Sequence, residues 1–480
     1  MSSEKKNIDI SNIDIFILIQ SVSEDMKEVC PGNSKSFLKV LNKRILFYEL
    51  EFFERQGIQK VNLLINNDVQ FEADLYLKEY KGIELNKIPF DANKDICYLF
   101  GKIKEHLTKN NFILVEGDSI FNFDLWEFID NHIDNKTLIS LILQKRNLAL
   151  TKLPYLKKEN LDVFVISSED NRVLFHDQKE NASENNDNLF LPKNILSHCS
   201  NMKLLFNYID SGFYIINKSI FDLIESDDFK NDNSKNNKNE TTSIQNDLIS
   251  YLIKKSFSKK FNTILINKMN NLKEKENKNT KLLSLLAKRI IIKAKIIENN
   301  RDNLNNDFCS KMIDYPTYLS TIDEIQMPYE KILPIFFQTD NNNKNYLMNF
   351  ADEITENMNN HKMFNDNIEK LESISLDSYI AIGEKIESIK IEKGSRVNRT
   401  VAGVDLNVKE GAKITACLIG DGVEIGSDCK ISNCIIGNGV VIEKNCVISD
   451  CVVENGYKIK QVVNKSKKIL SKEKDEEVEF

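Results

Sequence analysis

Glycine is scarce in this chain: 16 residues in 480, beside 7 prolines and one tryptophan. A loop that cradles phosphate on its backbone N–H groups needs glycine for close approach, so few such loops can exist. A basic surplus is also missing. Lys and Arg number 65 against 72 Asp and Glu, for a formal charge of −7. That balance disfavours holding DNA or RNA by phosphate neutralisation. No apolar run approaches the roughly 20 residues of a membrane span. The candidates Ile15–Ile19 and Arg289–Ile297 are short or broken by lysines, and Met1–Ser11 has no apolar signal core. These absences predict a cytosolic protein with no direct nucleic-acid or membrane partner. The nine cysteines are odd in number and contain no Cys-x-x-Cys pair. A zinc site and a disulfide framework are therefore not expected, and reduced buried thiols are.

Ten of the 16 glycines fall between Gly383 and Gly456. The same stretch repeats every 17 residues. Ile391, Val408, Ile425, Ile442 and Ile459 form one column. Val397, Ile414, Ile431 and Ile448 form a second, and Val401, Leu418, Ile435 and Val452 a third. Gly403, Gly420 and Gly437 keep the period, as do Cys417, Cys434 and Cys451. No 3.6-residue stripe fits this spacing, whereas short aliphatic strands joined by Gly, Asp or Asn turns do. Stacked coils that each bury one branched side chain per face predict a parallel β-helix over residues 371–463. The cysteine column reads as core or turn filler, because no histidine accompanies it.

The first part of the chain alternates strand and helix patterns. Ile13–Ile19 reads as a buried strand, Leu46–Gln56 as a helix ended by Gly57, and Val61–Ile65 as the next strand. This is a βαβ unit. Phe112–Val115 is a further buried strand running into Glu116-Gly117-Asp118, and Asp124 caps a helix with Glu127 three places on. Strands follow at Thr137–Leu143, Leu161–Ser167, Arg172–Asp177 and Gly212–Ile216, and Ile244–Lys255 is an amphipathic helix. The fold class is α/β, doubly wound. Asn-rich runs at Asn231–Glu240 and Asn341–Asn345 read as insertions and surface loops. In such sheets ligands bind beyond the carboxyl ends of the strands, which points to the loop after the first strand and the loop holding Asp118.

The order of domains, with Lys39–Glu54, Leu114–Asp124, Ile209–Ile216, Ser243–Ser258 and the coils from Ile389 to Ile459, resembles the sugar-nucleotide pyrophosphorylase family and its translation-factor relatives, subunits of initiation factor 2B. The resemblance implies a nucleotidyltransferase-like domain followed by a left-handed β-helix. Active members carry Gly-x-Gly-[Ser/Thr]-Arg after the first strand and then Pro-Lys. Here the loop Gln20–Glu28 has neither glycine nor arginine, and Glu24, Asp25 and Glu28 put negative charge where phosphates would sit. Side chains obstruct backbone approach and like charges repel. The Pro-Lys position reads Ser34-Lys35, and Asp118 matches the family's metal-binding Gly-Asp. A lone carboxylate rarely holds Mg²⁺ without a phosphate ligand. Lys35 and Asp118 are therefore vestigial candidates, and no catalytic residue, cofactor or metal is expected. Acyltransferases with related coils use a histidine there as general base. His106, His132, His176, His198 and His361 all lie outside the coils.

The expected organisation is a degenerate nucleotidyltransferase-like domain at 1–335, a linker at 336–370, coils at 371–463 and a charged tail at 464–480. The epsilon subunit of the exchange factor adds a helical-repeat domain that performs exchange, and about 20 residues cannot form one. The resemblance thus implies a noncatalytic regulatory subunit, with the epsilon and other subunits and the GTPase initiation factor 2 as partners. The alternatives are a diverged sugar-1-phosphate nucleotidyltransferase and a structural scaffold.

Overall fold

The computed structural model describes residues 13–22, 33–40, 43–145, 162–178, 201–206, 208–226, 244–256, 291–298, 307–312, 379–380, 390–460, 464–466 and 469–470, with Met26, Val29, Cys30, Ile195, Phe229, Thr317 and Tyr318. The Asn-rich runs, the expected linker at 336–370 and Glu24, Asp25 and Glu28 lie outside them. Two compact units emerge. One spans residues 1–21, 49–147 and 158–311, and the other spans 22–48, 148–157 and 312–480. By packing, then, residues 22–48 group with the coils. No helix among the described residues is long and apolar enough to cross a membrane.

The chain opens with β1 (Ile13–Ile19), then the short antiparallel pair β2 (Lys39–Val40) and β3 (Lys43–Arg44), α1 (Ile45–Arg55) and β4 (Lys60–Asn66). Next come α2 (Gln70–Tyr76), β5 (Glu84–Phe90), α3 (Ile96–His106), β6 (Asn111–Val115), β7 (Ser119–Asn122) and α4 (Leu125–Asp134). They are followed by β8 (Ile139–Lys145), β9 (Asp162–Ser167), β10 (Val173–Gln178), β11 (Met202–Phe206), β12 (Tyr208–Asn217) and α5 (Ile220–Ile224). A π-helical stretch Ile244–Ile249 leads into α6 (Ser250–Ser256), and β13 (Ile292–Ile297) and β14 (Phe308–Lys311) complete the unit. The expected single helix at Ile244–Lys255 is thus π-helical in its first half.

The main sheet runs β13-β8-β12-β6-β1-β4-β5. β1 is parallel to β4 and β6, and β4 to β5, as a βαβ start requires. β12 lies antiparallel between β6 and β8. Both faces are covered, because strand side chains alternate and neither face is polar. Phe16, Leu18, Phe112, Leu114, Tyr214 and Ile216 pack with α3, α5 and the 244–256 segment. On the opposite face, Phe213 meets Phe121 and Phe123 at ring-centroid distances of 5.1 and 5.2 Å, and Phe52 of α1 meets Phe121 at 4.8 Å. This is the doubly wound arrangement. Asp124 caps α4 as expected, with its Oδ1 accepting from the Glu127 N–H at 3.0 Å.

In the second unit, three parallel ladders climb with a register of 17 residues: Val397 pairs Ile414, Ile414 pairs Ile431 and Ile431 pairs Ile448. The core holds that column, the Val408–Ile425–Ile442–Ile459 column and a third of Ala402, Ile419, Ile436 and Val453. The third is the neighbour of the expected Val401–Leu418–Ile435–Val452 column, which is also buried. Each inward aliphatic contributes about 1.5–3 kcal/mol. The corners explain the sequence between strands. Gly394, Gly411, Asp428 and Asn445 have positive φ at one corner, and Asp405, Gly422, Gly439 and Gly456 at another. Glycine, Asn and Asp are the residues that tolerate it.

Gly403, Gly420 and Gly437 answer to packing instead. A Cβ on Gly420 would lie 2.7 Å from the Asn438 backbone N. The Asn438 Oδ1 accepts from the Asp421 N–H at 2.8 Å, and one coil up the Asn455 Oδ1 accepts from the Asn438 N–H at 2.7 Å. Cys417, Cys434 and Cys451 are buried, and each thiol donates to the carbonyl two residues earlier at 3.1–3.2 Å. The ladders continue past residue 463: Asn464–Ser466 pairs with Val447–Ser449, and Ile469–Leu470 with Val452–Val453. The stretch expected as a charged tail therefore begins with another partial coil, because backbone pairing persists where the apolar pattern fades.

Candidate functional site

The centre of the main sheet points its carboxyl ends at a cluster of charged side chains. β6 is apolar throughout its last four residues, and buried there, so the chain meets its first polar groups at Glu116 and Asp118. Gly117, with φ +73°, turns the chain into β7. Across from this turn, β12 supplies Gly212. The Glu116 N–H donates to the Gly212 carbonyl at 3.0 Å. A Cβ on Gly212 would lie 2.8 Å from Glu116 Oε2, and φ is +74°, so only glycine fits. The register against β8 shifts between Asp210 and Tyr214, a local irregularity that re-aims side chains.

Asp210 folds back over this kink. Its Oδ1 accepts from the Gly212 N–H at 3.0 Å and its Oδ2 from the Tyr214 hydroxyl at 2.9 Å. The Tyr214 hydroxyl is also 3.5 Å from Glu116 Oε1. Lys311 enters from β14, where antiparallel pairing sets it opposite Ser119. Its Nζ donates to Glu116 Oε2, and its backbone N–H donates to Gln144 Oε1 at 2.9 Å. The two side chains are 12% and 18% exposed, so water screens this pair weakly. Below, the Ser119 N–H donates to Glu49 Oε1 at 3.1 Å, and the Ser119 hydroxyl donates to the Ser211 carbonyl at 2.6 Å. Glu49 is fully buried, and its Oε2 has no hydrogen-bond partner.

The electrostatics follow from burial and crowding. Burial, helped by Glu116, pushes Asp210 up to about 6, against the opposing pull of Lys311, Gly212 and Tyr214. Burial likewise raises Glu49 well above its ordinary value, with Asp118 adding to it. For Lys311 burial acts downward, yet Glu116, Asp118 and Asp210 outweigh it and hold the ammonium charged. Burial first, then the Asp210 and Glu116 charges, keep Tyr214 in its phenol form.

The residues expected from sequence divide between the units. Asp118 is half-buried in the α/β unit, with the Ser119 hydroxyl 3.5 Å from its Oδ1. Lys35 belongs to the second unit, where it starts a 3₁₀ turn, Lys35–Phe37. Lys43 lies in that unit too, its Nζ 4.6 Å over the Tyr48 ring, a fold-supporting contact. Of the loop Gln20–Glu28, the described part is Gln20–Val22 and Met26. Ser21 accepts from the Asn66 side-chain amide at 2.6 Å. His106, His132 and His176 lie in the α/β unit, while His198 and His361 lie outside the described residues.

Resemblance implies Mg²⁺ at Asp118, and the residues here do not fit it. Among the described residues no three His, Cys, Asp or Glu side chains form a set able to hold a metal ion. Glu116 is taken by Lys311, and Asp210 by Gly212 and Tyr214. Glu49, Glu116, Asp210 and Lys311 escaped sequence reasoning. Asp210 had a local signal, an acid two residues before a glycine in a buried strand; Lys311 had none.

A mostly parallel α/β sheet with charged residues beyond its carboxyl ends, in a chain that also carries 17-residue coils, defines a nucleotidyltransferase-like protein with a hexapeptide β-helix. The family described as "GlmU-like, C-terminal hexapeptide" matches residues 362–451. The chain is 24% identical over 213 residues to D-glycero-alpha-D-manno-heptose 1-phosphate guanylyltransferase of Aneurinibacillus thermoaerophilus, covering 44% of this chain and 77% of that protein. It is 22% identical over 221 residues to Translation initiation factor eIF2B subunit gamma of Dictyostelium discoideum, covering 41% of this chain and 50% of that subunit. These similarities support the nucleotidyltransferase-like superfamily.

Proposed function

We propose that the chain is a noncatalytic, gamma-type subunit of the translation initiation factor 2B complex in the cytosol. It supports GDP/GTP exchange on initiation factor 2 together with an epsilon subunit. The observation that carries this reading is the carboxylate-rich cluster beyond β6, where Lys311 already engages Glu116 and Asp118 has no acidic pair free to join it. A triphosphate brought there meets net negative charge without a metal to bridge it. The glycine-free, arginine-free loop at Gln20–Glu28 points the same way. The chain's part in exchange is then a surface that helps stabilise one state of the GTPase, a differential-binding effect. The test is reconstitution with an epsilon-type subunit and nucleotide-loaded initiation factor 2. The chain is expected to co-purify with both and to raise the rate of GDP release over the epsilon subunit alone. Failure to associate would end the proposal.

A second reading is a diverged sugar-1-phosphate nucleotidyltransferase, favoured by the match that covers 77% of the guanylyltransferase. It requires nucleotide binding. Calorimetric titration with ATP, GTP, CTP and UTP in Mg²⁺ separates the two: saturable heat supports the enzyme, and none supports the subunit.

A further inference from the structure

We propose that one outer face of the coils is a docking strip for an acidic polypeptide segment of another protein. The proposal holds under either functional reading, because it rests on the coil unit alone.

The strip is built on the ladder of Arg396–Asn398, Lys413–Thr415, Lys430–Ser432 and Val447–Ser449. The middle residue of each strand lies in the core, so its two neighbours point outward. One outward column is Arg396, Lys413, Lys430 and Val447, and the other is Asn398, Thr415, Ser432 and Ser449. Parallel in-register pairing sets the three cations on successive rungs, about 4.8 Å apart. Like charges set opposite each other repel. Elsewhere on the coils such neighbours are matched. Lys409 Nζ lies 2.8 Å from Glu392 Oε1 one rung away, Lys458 Nζ lies 3.7 Å from Glu443 Oε1, and Asn433 Nδ2 donates to Asp450 Oδ1 at 3.2 Å. Arg396, Lys413 and Lys430 are exposed, and among the described residues their side chains enter no ion pair or hydrogen bond, including with the corner acids Glu410 and Asp428. The fold keeps a repulsive column here and leaves its cations for an outside anion.

Two features select a polypeptide over a nucleic acid. The rung after Lys430 carries Val447, 40% exposed, which offers an apolar contact to a side chain that follows the acids. The net charge of −7 opposes any polyanion longer than the strip. Arg396 to Val447 spans about 14 Å, which about five extended residues cover. The occupant is a short extended run of Asp or Glu ending in an apolar residue, with the hydroxyl and amide column alongside to hydrogen-bond it.

The test is fluorescence anisotropy with the full chain at low salt, using a labelled peptide of three glutamates, a glycine and a leucine. Wild type is expected to bind it saturably and to lose it as salt rises. Lys413→Glu makes the column alternate in charge. It is expected to melt no lower than wild type, yet to bind the peptide at least about tenfold more weakly. Lys413→Arg is expected to bind as wild type, and Val447→Ser about threefold more weakly. Lys458→Glu, on a different face of the coils, is expected to leave binding unchanged. The proposal is overturned if wild type shows no saturable binding, if Lys413→Glu binds as wild type or melts below it, or if Lys458→Glu weakens binding as much. Tighter binding of a thymidine oligonucleotide of equal charge overturns it by assigning the strip to nucleic acid. Self-association of the chain that Lys413→Glu abolishes, in place of peptide binding, overturns it by assigning the strip to a second copy.

Discussion

Acid should act on two buried groups of the α/β unit in opposite senses. His132, on α4, is 1% exposed. Its Nδ1 lies 2.8 Å from Thr137 Oγ1 and 2.9 Å from Ser140 Oγ, and its Nε2 has no partner. Burial pushes its pKa from 6.5 down to about 4. A group lowered on folding lends its full stability above the unfolded value and loses it as pH falls through that window. The loss on acidification from 6.5 towards 4 amounts to about 3 kcal/mol. Asp210 is 2% exposed and runs the other way, raised by burial from 3.8 to about 6. The folded chain then holds a proton that the unfolded chain gives up. Stability rises as pH falls from 6 towards 3.8, again by about 3 kcal/mol.

Because the two slopes oppose each other in wild type, the variants expose them. Urea unfolding can be followed through Trp126, the single tryptophan, which sits on α4, the helix that also carries His132. Measured between about pH 4 and pH 7, His132→Gln is expected to keep the roughly 3 kcal/mol that wild type loses through the imidazole. Asp210→Asn is expected to diverge in the opposite direction by a similar amount. Whatever each variant's stability at neutral pH, the slope difference carries the result. Curves for His132→Gln and wild type that stay parallel across this window would show that burial does not depress the His132 imidazole.

The coil unit offers cleaner steric tests. Gly420→Ala places a methyl group 2.7 Å from the Asn438 backbone N, and is expected to destabilise the unit by about 2–4 kcal/mol in thermal unfolding. Gly439 has open space around its would-be Cβ and only φ +64° to answer for, so Gly439→Ala is expected to cost about 1 kcal/mol. Ile431→Ala removes a fully inward aliphatic from one column, with an expected loss of about 2–5 kcal/mol by chemical denaturation. Lys39 Nζ lies 2.6 Å from Asp421 Oδ2 with both side chains 31% exposed. Asp421→Asn is therefore expected to change stability by less than about 1 kcal/mol, particularly because Asp421 Oδ1 also accepts from the Val404 N–H and an amide can replace it.

The coils were legible because their physics is local and periodic. Each aliphatic contacts its own copy 17 residues away, so Val397, Ile414, Ile431 and Ile448 announce their pairing in the sequence. What periodicity did not reveal was which of two adjacent columns faces inward, since Val401 and Ala402 are both buried and both recur. The opening βαβ unit was legible for a similar reason: β1, α1 and β4 are neighbours in sequence and in space. The π-helical entry to α6 was not, because an amphipathic pattern fits either helix over so short a span.

The charged cluster was illegible for the converse reason. Glu49, Glu116, Asp210 and Lys311 come from α1, the end of β6, the kink of β12 and the end of β14, and only tertiary packing brings them together. Lys311 meets Glu116 across 195 positions of chain, and no spacing rule connects them. Once assembled, such a cluster resists piecemeal change. Removing Lys311 leaves buried acids without a counter-charge, and removing Glu116 leaves a buried ammonium with less of one. Breaking a buried pair by removing one partner typically costs about 3–5 kcal/mol, comparable with the whole stability of many domains. The cluster can therefore be held in place by the folding of the α/β unit alone, whether or not any phosphate visits it. Its presence is then no argument for activity. Activity would require its carboxylates to take a cation, and at Glu116 the Lys311 ammonium already occupies Oε2.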